Sequence, residues 1–458
     1  MKNNKIKRVT ENIMVETHLK NYFKRVTLEE RMNQLNAPGV SITVVNNGQI
    51  EWSNGFGLKN LSTGEKVRND TIFLAGSVSK PVFALAVMKL VERGKIDLDR
   101  DVNEYLKSWK IPENGAWQAE ITMRQLLSHT AGLTVHGFGG YNQSSPVPTT
   151  KQILNGENPA NSYPVVPYIL PGTMFKYSGG GVTVAQFVVE ELFDKPFPEI
   201  MDEILFKPLN LENSTYNQNL SQKQKEKAAS GYYFNIRPVE NGYHLYPEMA
   251  AAGLWTNGED LAKIMIEVQS ALKGESLFFK KETVEEMLTV QKGTDDMGIG
   301  FFLEGESDSQ RFFHAGWDEG FVTKFISGKQ DGNGVIVFIN SNEGVGLLDE
   351  IVRSVANAYE WSEFNKDLHF AEEIDEKILD AYCGVYCDEK GLEFKISKST
   401  DKLLLELPGQ KPLDVLSETF SFFDFKISFK TSETGEQIMT LVQDGNVITA
   451  KKDENNLK

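Results

Sequence analysis

The side chains best suited to covalent chemistry lie in Ser77-Val78-Ser79-Lys80. Residues three apart share one face of a helix, so this S-x-x-K spacing makes neighbours of a hydroxyl and an ammonium. A serine hydroxyl is a poor nucleophile until an adjacent base takes its proton. Lysine becomes such a base when burial disfavours its charged form and lowers its pKa. The spacing alone is weak, because it recurs at Ser270/Lys273 and Ser399/Lys402, and in isolation it reads as an exposed serine at a helix start. Two further clusters follow in order. Tyr177-Ser178-Gly179-Gly180-Gly181 sets a phenol before a glycine-rich turn, and His314-Ala315-Gly316-Trp317 follows Phe312-Phe313 directly. Other chemistries lack their signatures. There is no G-x-S-x-G elbow, P-loop, G-x-G-x-x-G or H-E-x-x-H, and the histidines (18, 129, 136, 244, 314, 369) lack metal-ligand spacing. No cofactor and no metal are expected.

These groups need elements to carry them. Thr71 to Gly76 is strand-like and would deliver Ser77 to the floor of a cleft. A helix is expected from about Ser77 to Arg93, stopped by Gly94. Its positive end would face Ser77 and favour developing negative charge. Pro81 is tolerated in that first turn, where N–H groups lack intrahelical partners. Residues 10–35 read as one amphipathic N-terminal helix ended by Pro38-Gly39. Val40 to Val45 and Ile50 to Phe56 read as a hairpin around Asn46-Asn47-Gly48-Gln49. Phe312-Phe313, Val322 to Ser327 and Val335 to Asn340 read as three adjacent strands, the last central, with a helix from about Leu347 to Trp361 after them. One sheet built from both ends of the first ~365 residues, beside a helical insertion, follows from this layout. The stretch Val135 to Tyr177, rich in Gly, Pro, Asn and Ser, reads as a lid or binding loop.

The three clusters, in that order, resemble the serine β-lactamase and penicillin-binding-protein superfamily, in its class C-like branch of D-aminopeptidases, family VIII esterases and related serine peptidases. Leu126-Leu127-Ser128-His129-Thr130-Ala131-Gly132-Leu133 is similar to that branch's L-L-x-H-T-[SA]-G-L signature. Pro171 to Ser178 and Ala252-Gly253-Leu254 are similar as well, and the resemblance covers about residues 15–365. It implies an α/β β-lactamase/transpeptidase-like fold, an antiparallel sheet flanked by helices with an all-α insertion. It also implies Ser77 as nucleophile, Lys80 and Tyr177 as the proton-handling pair, and the N–H groups of Ser77 and Trp317 as an oxyanion hole. Such donors contribute about 2.7–4 kcal/mol each. Gly179, His314, Gly316 and Trp317 would contact substrate, and His129 is expected to be a structural hydrogen-bonder.

Two positions depart from the family pattern. Gly179 stands where Y-x-N has Asn, removing an amide that contacts the lysine and the substrate carbonyl. His314 stands where K-T-G has Lys, replacing a fixed charge with a group near neutral at pH 7. Both changes weaken recognition of a β-lactam carboxylate and favour a small ester or a peptide or amide, D-aminoacyl compounds included. No equivalent of the class A deacylating Glu is evident, so Tyr177 and Lys80 would activate water. The alternatives are a β-lactamase or D,D-carboxypeptidase, and a non-catalytic ligand-binding or sensor homologue.

Composition bounds the rest. The chain has 458 residues, 40% hydrophobic, enough for a sizeable core over two or three domains. With 48 Lys+Arg against 64 Asp+Glu its formal charge is −16, which repels a phosphate backbone and argues against nucleic acid as a partner. Pro81 to Leu90, the longest apolar run, is too short to span a bilayer, and no h-region follows the basic start, so a cytoplasmic protein is expected. Cys383 and Cys387 sit four apart on an extended stretch, roughly 13 Å at strand rise, beyond disulfide reach. Residues 1–365 read as the hydrolase domain, 366–376 as an acidic linker, and 377–458 as short strands between Gly turns. That last module resembles the lipocalin-like barrel appended to some of these peptidases, where it borders the active site or mediates assembly. A homo-oligomer is compatible with it.

Overall fold

The computed structural model describes residues 2–14, 17–19, 26–306, 309–361, 364, 369–371, 380–399, 402–406, 413–414, 425–432, 435–443 and 446–453. The chain divides into two compact units, one of residues 1–4 and 32–348, the other of residues 5–31 and 349–458.

The first unit is built on a seven-stranded antiparallel sheet. Its order is Glu65–Lys66, Gln49–Asn60, Gly39–Asn46, Gly334–Ile339, Phe321–Gly328, Arg311–Asp318 and Phe302–Glu304. The hairpin turns at Asn47 and Gly48, both at positive φ (52° and 72°), the handedness that matches strand twist. Gly334–Ile339, buried at every position, lies mid-sheet between the hairpin and the later strands, so the two chain ends do share one sheet. Its neighbour Phe321–Gly328 is likewise buried throughout, as expected of a strand covered on both faces.

The helix Ser79–Glu92 is buried from Ser79 through Met88. An element apolar on all sides belongs in the interior, and Phe83, Val87 and Leu90 share one core with helices Gly179–Phe193 and Gly258–Leu272. Gly94 follows at φ 64° as the expected stop. From Leu133 to Tyr177 the only helix among the described residues is Thr150–Asn155, opened by a Thr149/Gln152 capping box. The long loop is stitched instead by single contacts such as Thr134 N–H to Val166 O (3.0 Å).

The expected single helix over 10–35 is not what forms. Helices Lys2–Thr10 and Leu28–Gln34 are separate, and Thr17–Leu19 is a strand paired in parallel with His369–Ala371. Amphipathic composition without Gly or Pro was the only signal there, and it does not distinguish one helix from short pieces recruited by distant partners. In this second unit Arg31 grips Glu350 with two hydrogen bonds (2.8 and 2.6 Å). Most of the acidic stretch 366–376 lies outside the described residues.

The C-terminal strands form a second seven-stranded antiparallel sheet, ordered Leu413–Asp414, Lys402–Glu406, Glu393–Ser399, Gly384–Asp388, Asn446–Lys452, Gln437–Gln443, Phe425–Thr431. Tyr386, Phe394, Ile396, Leu405, Met439, Leu441 and Ala450 make its own small core. Among the described residues it is a curled half-barrel. Cys383 and Cys387 are free thiols.

Candidate active site

Ser77 sits in the 3-10 turn Gly76–Val78, one residue ahead of the helix proper. Every residue from Thr71 to Met88 is buried except Ser77, which is half-exposed. The turn is anchored on both sides. Phe73–Leu74 pairs with Trp255–Thr256, Ala75 N–H donates to Leu254 O (2.8 Å), and the Ser79 hydroxyl donates to Gly76 O (2.6 Å).

Lys80 is 3% exposed, with Nζ 2.8 Å from Ser77 Oγ and 2.7 Å from Ala251 O. The Ala251 carbonyl belongs to the short helix Met249–Ala252, which Gln186 holds through a bond to Ala250 N–H (2.9 Å). Burial brings the Lys80 pKa down to about 7, against the opposing pull of Asp318. A substantial fraction of the side chain is therefore neutral amine at neutral pH.

Tyr177 ends the long loop, its ring centroid 5.0 Å from Lys80 Nζ. Burial holds its phenol well above the usual range, and interaction with the Ser77 hydroxyl pulls the other way. The ring is packed by other rings: His129 stacks at 4.2 Å, His136 is tilted at 4.9 Å, and His314 and Phe302 lie at 6.3 and 6.5 Å. His129 is buried at φ 58°, and its Nδ1 accepts from Ser178 N–H (3.2 Å). Burial, reinforced by the charge of Lys80, keeps His129 neutral.

Strand Arg311–Asp318 closes the third side. A Cβ on Gly316 would stand 1.9 Å from Ala75 O and 3.2 Å from Ser77 N, and one on Gly76 would stand 2.5 Å from Trp317 N. Only two facing glycines allow this approach, which brings the backbone at Ser77 and at Trp317 side by side. Side chains alternate along a strand, so the Trp317 indole leaves the face shared by His314 and Gly316, and it packs near Phe234 (6.4 Å). His314 is 2% exposed; burial first, then Lys80, pushes its pKa down to about 3. Its Nδ1 lies 2.7 Å from Ala315 O, and its Nε2 is buried with no hydrogen-bond partner among the described residues.

Ser77, Lys80, Tyr177, His314, Gly316 and the backbone of Trp317 thus lie at one site, while Gly179 opens the helix two residues beyond Tyr177 and packs against His136 and Phe138. A hollow of about 630 Å³ elsewhere, lined by Phe187, Glu190 and Pro247, contains none of them. Three contributors carried no signal in the sequence. Ala251 acts through its carbonyl, which any residue supplies. Asp318 takes part by accepting from Gly76 N–H at 3.1 Å, and His136 by reaching Tyr177 through the loop.

Residues 25–360 match the family described as Beta-lactamase. The chain belongs to the Beta-lactamase family. Proteins of this family with this fold are serine hydrolases. The chain is 23% identical over 449 residues to "Penicillin-binding protein 4*" of Bacillus subtilis (strain 168), covering 92% of this chain and 96% of that one. Its fold is similar to that of the octameric penicillin-binding protein homologue from Pyrococcus abyssi (TM-score 0.66, 21% identity, 93% and 98% of the two chains). A Beta-lactamase/D-alanine carboxypeptidase from Yersinia pestis aligns over 72% of this Beta-lactamase-family chain and 96% of its own (TM-score 0.55, 19% identity). Among the described residues no helix is long and apolar enough to cross a membrane.

Proposed function

We propose that this protein is a serine hydrolase that cleaves a small ester or amide through an acyl-enzyme on Ser77. The observation that carries this reading is the 2.8 Å contact between the Lys80 amine, lowered to about pKa 7, and the half-exposed Ser77 hydroxyl. Neutral Lys80 takes the Ser77 proton as Oγ attacks the carbonyl carbon. The N–H groups of Ser77 and Trp317 receive the developing oxyanion, which needs donors aimed before charge appears. Tyr177, held protonated, passes its proton to the leaving oxygen or nitrogen and recovers one from Lys80. In deacylation water attacks the acyl carbon and gives its proton to neutral Lys80 by way of Tyr177, and that same proton is handed to Ser77 Oγ as the bond between Oγ and the carbonyl carbon breaks.

Substrate preference follows from His314. A buried imidazole neutral at physiological pH offers no charge to a substrate carboxylate, so substrates without a carboxylate, D-aminoacyl esters and amides among them, fit better. Its unpaired Nε2 offers a hydrogen bond to such a group. The octameric state named for the Pyrococcus relative makes self-assembly a further expectation, read by sedimentation. The decisive test is covalent labelling by a fluorophosphonate probe together with hydrolysis of p-nitrophenyl butyrate. Wild type should show both and Ser77→Ala neither; retained labelling in the variant refutes the assignment.

A second reading, β-lactamase or D,D-carboxypeptidase, draws on the names of the relatives. It requires rapid nitrocefin turnover or release of terminal D-Ala, and absence of both discards it. A sensor homologue would show no Ser77-dependent turnover of any ester or amide.

A further inference from the structure

Position 179 opens the helix that follows Tyr177, and the structure explains why no side chain stands there. A Cβ on Gly179 would meet His136 O at 3.0 Å and two ring carbons of Phe138 at 3.1 and 3.4 Å. On Gly180 it would meet Thr134 O at 2.8 Å and Val135 Cβ at 3.1 Å. The turn 134–138 therefore fills the volume that a residue at 179 would use. It is pinned in place, with Gly179 N–H donating to His136 O (2.9 Å), Gly180 N–H to Val135 O (3.0 Å), and the Ser178 hydroxyl to Thr134 O (2.8 Å). Val135 adopts φ 65°, a left-handed conformation that a β-branched residue rarely takes. Strain of this kind persists where surrounding bonds over-determine it, and it clusters at ligand-binding sites. Its outcome here is an exposed His136 ring against Tyr177 and a half-buried Phe138 ring beside the start of the helix.

We propose that the His136–Phe138 turn is the specificity-determining wall of the site, selecting substrates that lay an aryl or alkyl face against it over substrates whose amide needs a hydrogen-bond partner at 179. The inference rests on Ser77 being the nucleophile. An aromatic face rewards a flat apolar group through dispersion and offset ring contact. A substrate amide brought against the same face loses its water and gains no partner.

The experiment compares kcat/KM for p-nitrophenyl acetate, phenylacetate and N-acetylglycinate, and for phenyl and ethyl acetate, in wild type, Phe138→Ala and Phe138→Leu. Wild type should prefer the phenyl-bearing member of a series, and Phe138→Ala should reduce that preference roughly tenfold, the scale of one aromatic contact. Phe138→Leu should retain part of it. Unchanged ratios in both series, in a variant that melts cooperatively, overturn the proposal. A readout free of catalysis keeps it testable if Phe138→Ala is unstable. Gly179→Asn should lower the melting temperature in wild type and lower it less in the Phe138→Leu background; equal losses overturn the claim that the ring fills this volume. Absence of Ser77-dependent turnover in wild type would sink the hydrolase reading itself, whereas turnover with unmoved ratios sinks this inference alone.

Discussion

Lys80 and Gly316 show how much single residues decide. Lys80 must lose a proton to act as base, and its pKa of about 7 sets the sign of the pH dependence: kcat/KM for an uncharged ester rises with pH through about 7 and then levels. A stopped-flow acylation profile that stays flat from pH 5.5 to 8.5 would contradict this. Lys80→Ala should cost on the order of 10²–10⁴-fold in kcat/KM, the usual worth of a positioned general base. Gly316→Ala tests a different property. Its methyl would stand 1.9 Å from the Ala75 carbonyl, so the Ser77 turn must move away from the strand. The expected result is loss of most esterase activity together with a lower melting temperature; normal kinetics would show that the approach is not needed.

Among elements, helix Gly258–Leu272 is opened by Asn257, whose side chain accepts from Asp260 N–H (3.0 Å) and donates to Asn69 O (2.9 Å). Asn257→Ala removes the cap and leaves Asn69 O without this partner, a destabilisation of about 1–2 kcal/mol measurable by urea unfolding. The long loop depends on Gly132 in the same way that the Ser77 turn depends on Gly76. At φ 67°, a Cβ on Gly132 would lie 2.2 Å from Ile169 O. The hairpin, the central strand and the buried helix were legible because Asn-Gly turns, alternation and apolar runs are local signals. The N-terminal stretch was not, because Thr17–Leu19 becomes a strand only by pairing with residues 352 positions away.

At the scale of the first unit, burial of titratable groups links the site to stability. Glu248 is fully buried, and desolvation pushes its carboxyl up to about 8 from a model-compound value of 4.5. The folded pKa is raised, so the unfolded chain gives up this proton first and stability falls as pH rises from about 4.5 to 8. Lys80 has the opposite sign. Its folded pKa is depressed, so its destabilising effect is full below about 7 and is relieved as pH rises from there towards 10.5. Between pH 5 and 6 Lys80 is largely charged in both states and adds little slope. Glu248→Gln should therefore flatten the decline of melting temperature across that interval and melt a few degrees higher at pH 7. Parallel curves for variant and wild type would show that the carboxyl is not held protonated.

Residue order by itself determined that a hydroxyl, an amine and a phenol would be candidates for one site, because S-x-x-K, Tyr177 and His314 follow the pattern of a known superfamily and helical spacing makes the first two neighbours. It also determined the two departures from that pattern, Gly179 and His314, on which the proposed preference for substrates without a carboxylate rests. Tertiary structure decided the state of those groups. Lys80 has its pKa lowered to about 7 because it is buried, His314 is neutral for the same reason, and the backbone at Trp317 reaches the Ser77 turn because Gly76 and Gly316 face each other across elements 240 residues apart in sequence. Desolvation and close backbone approach are properties of packed volume, which local residue patterns do not encode.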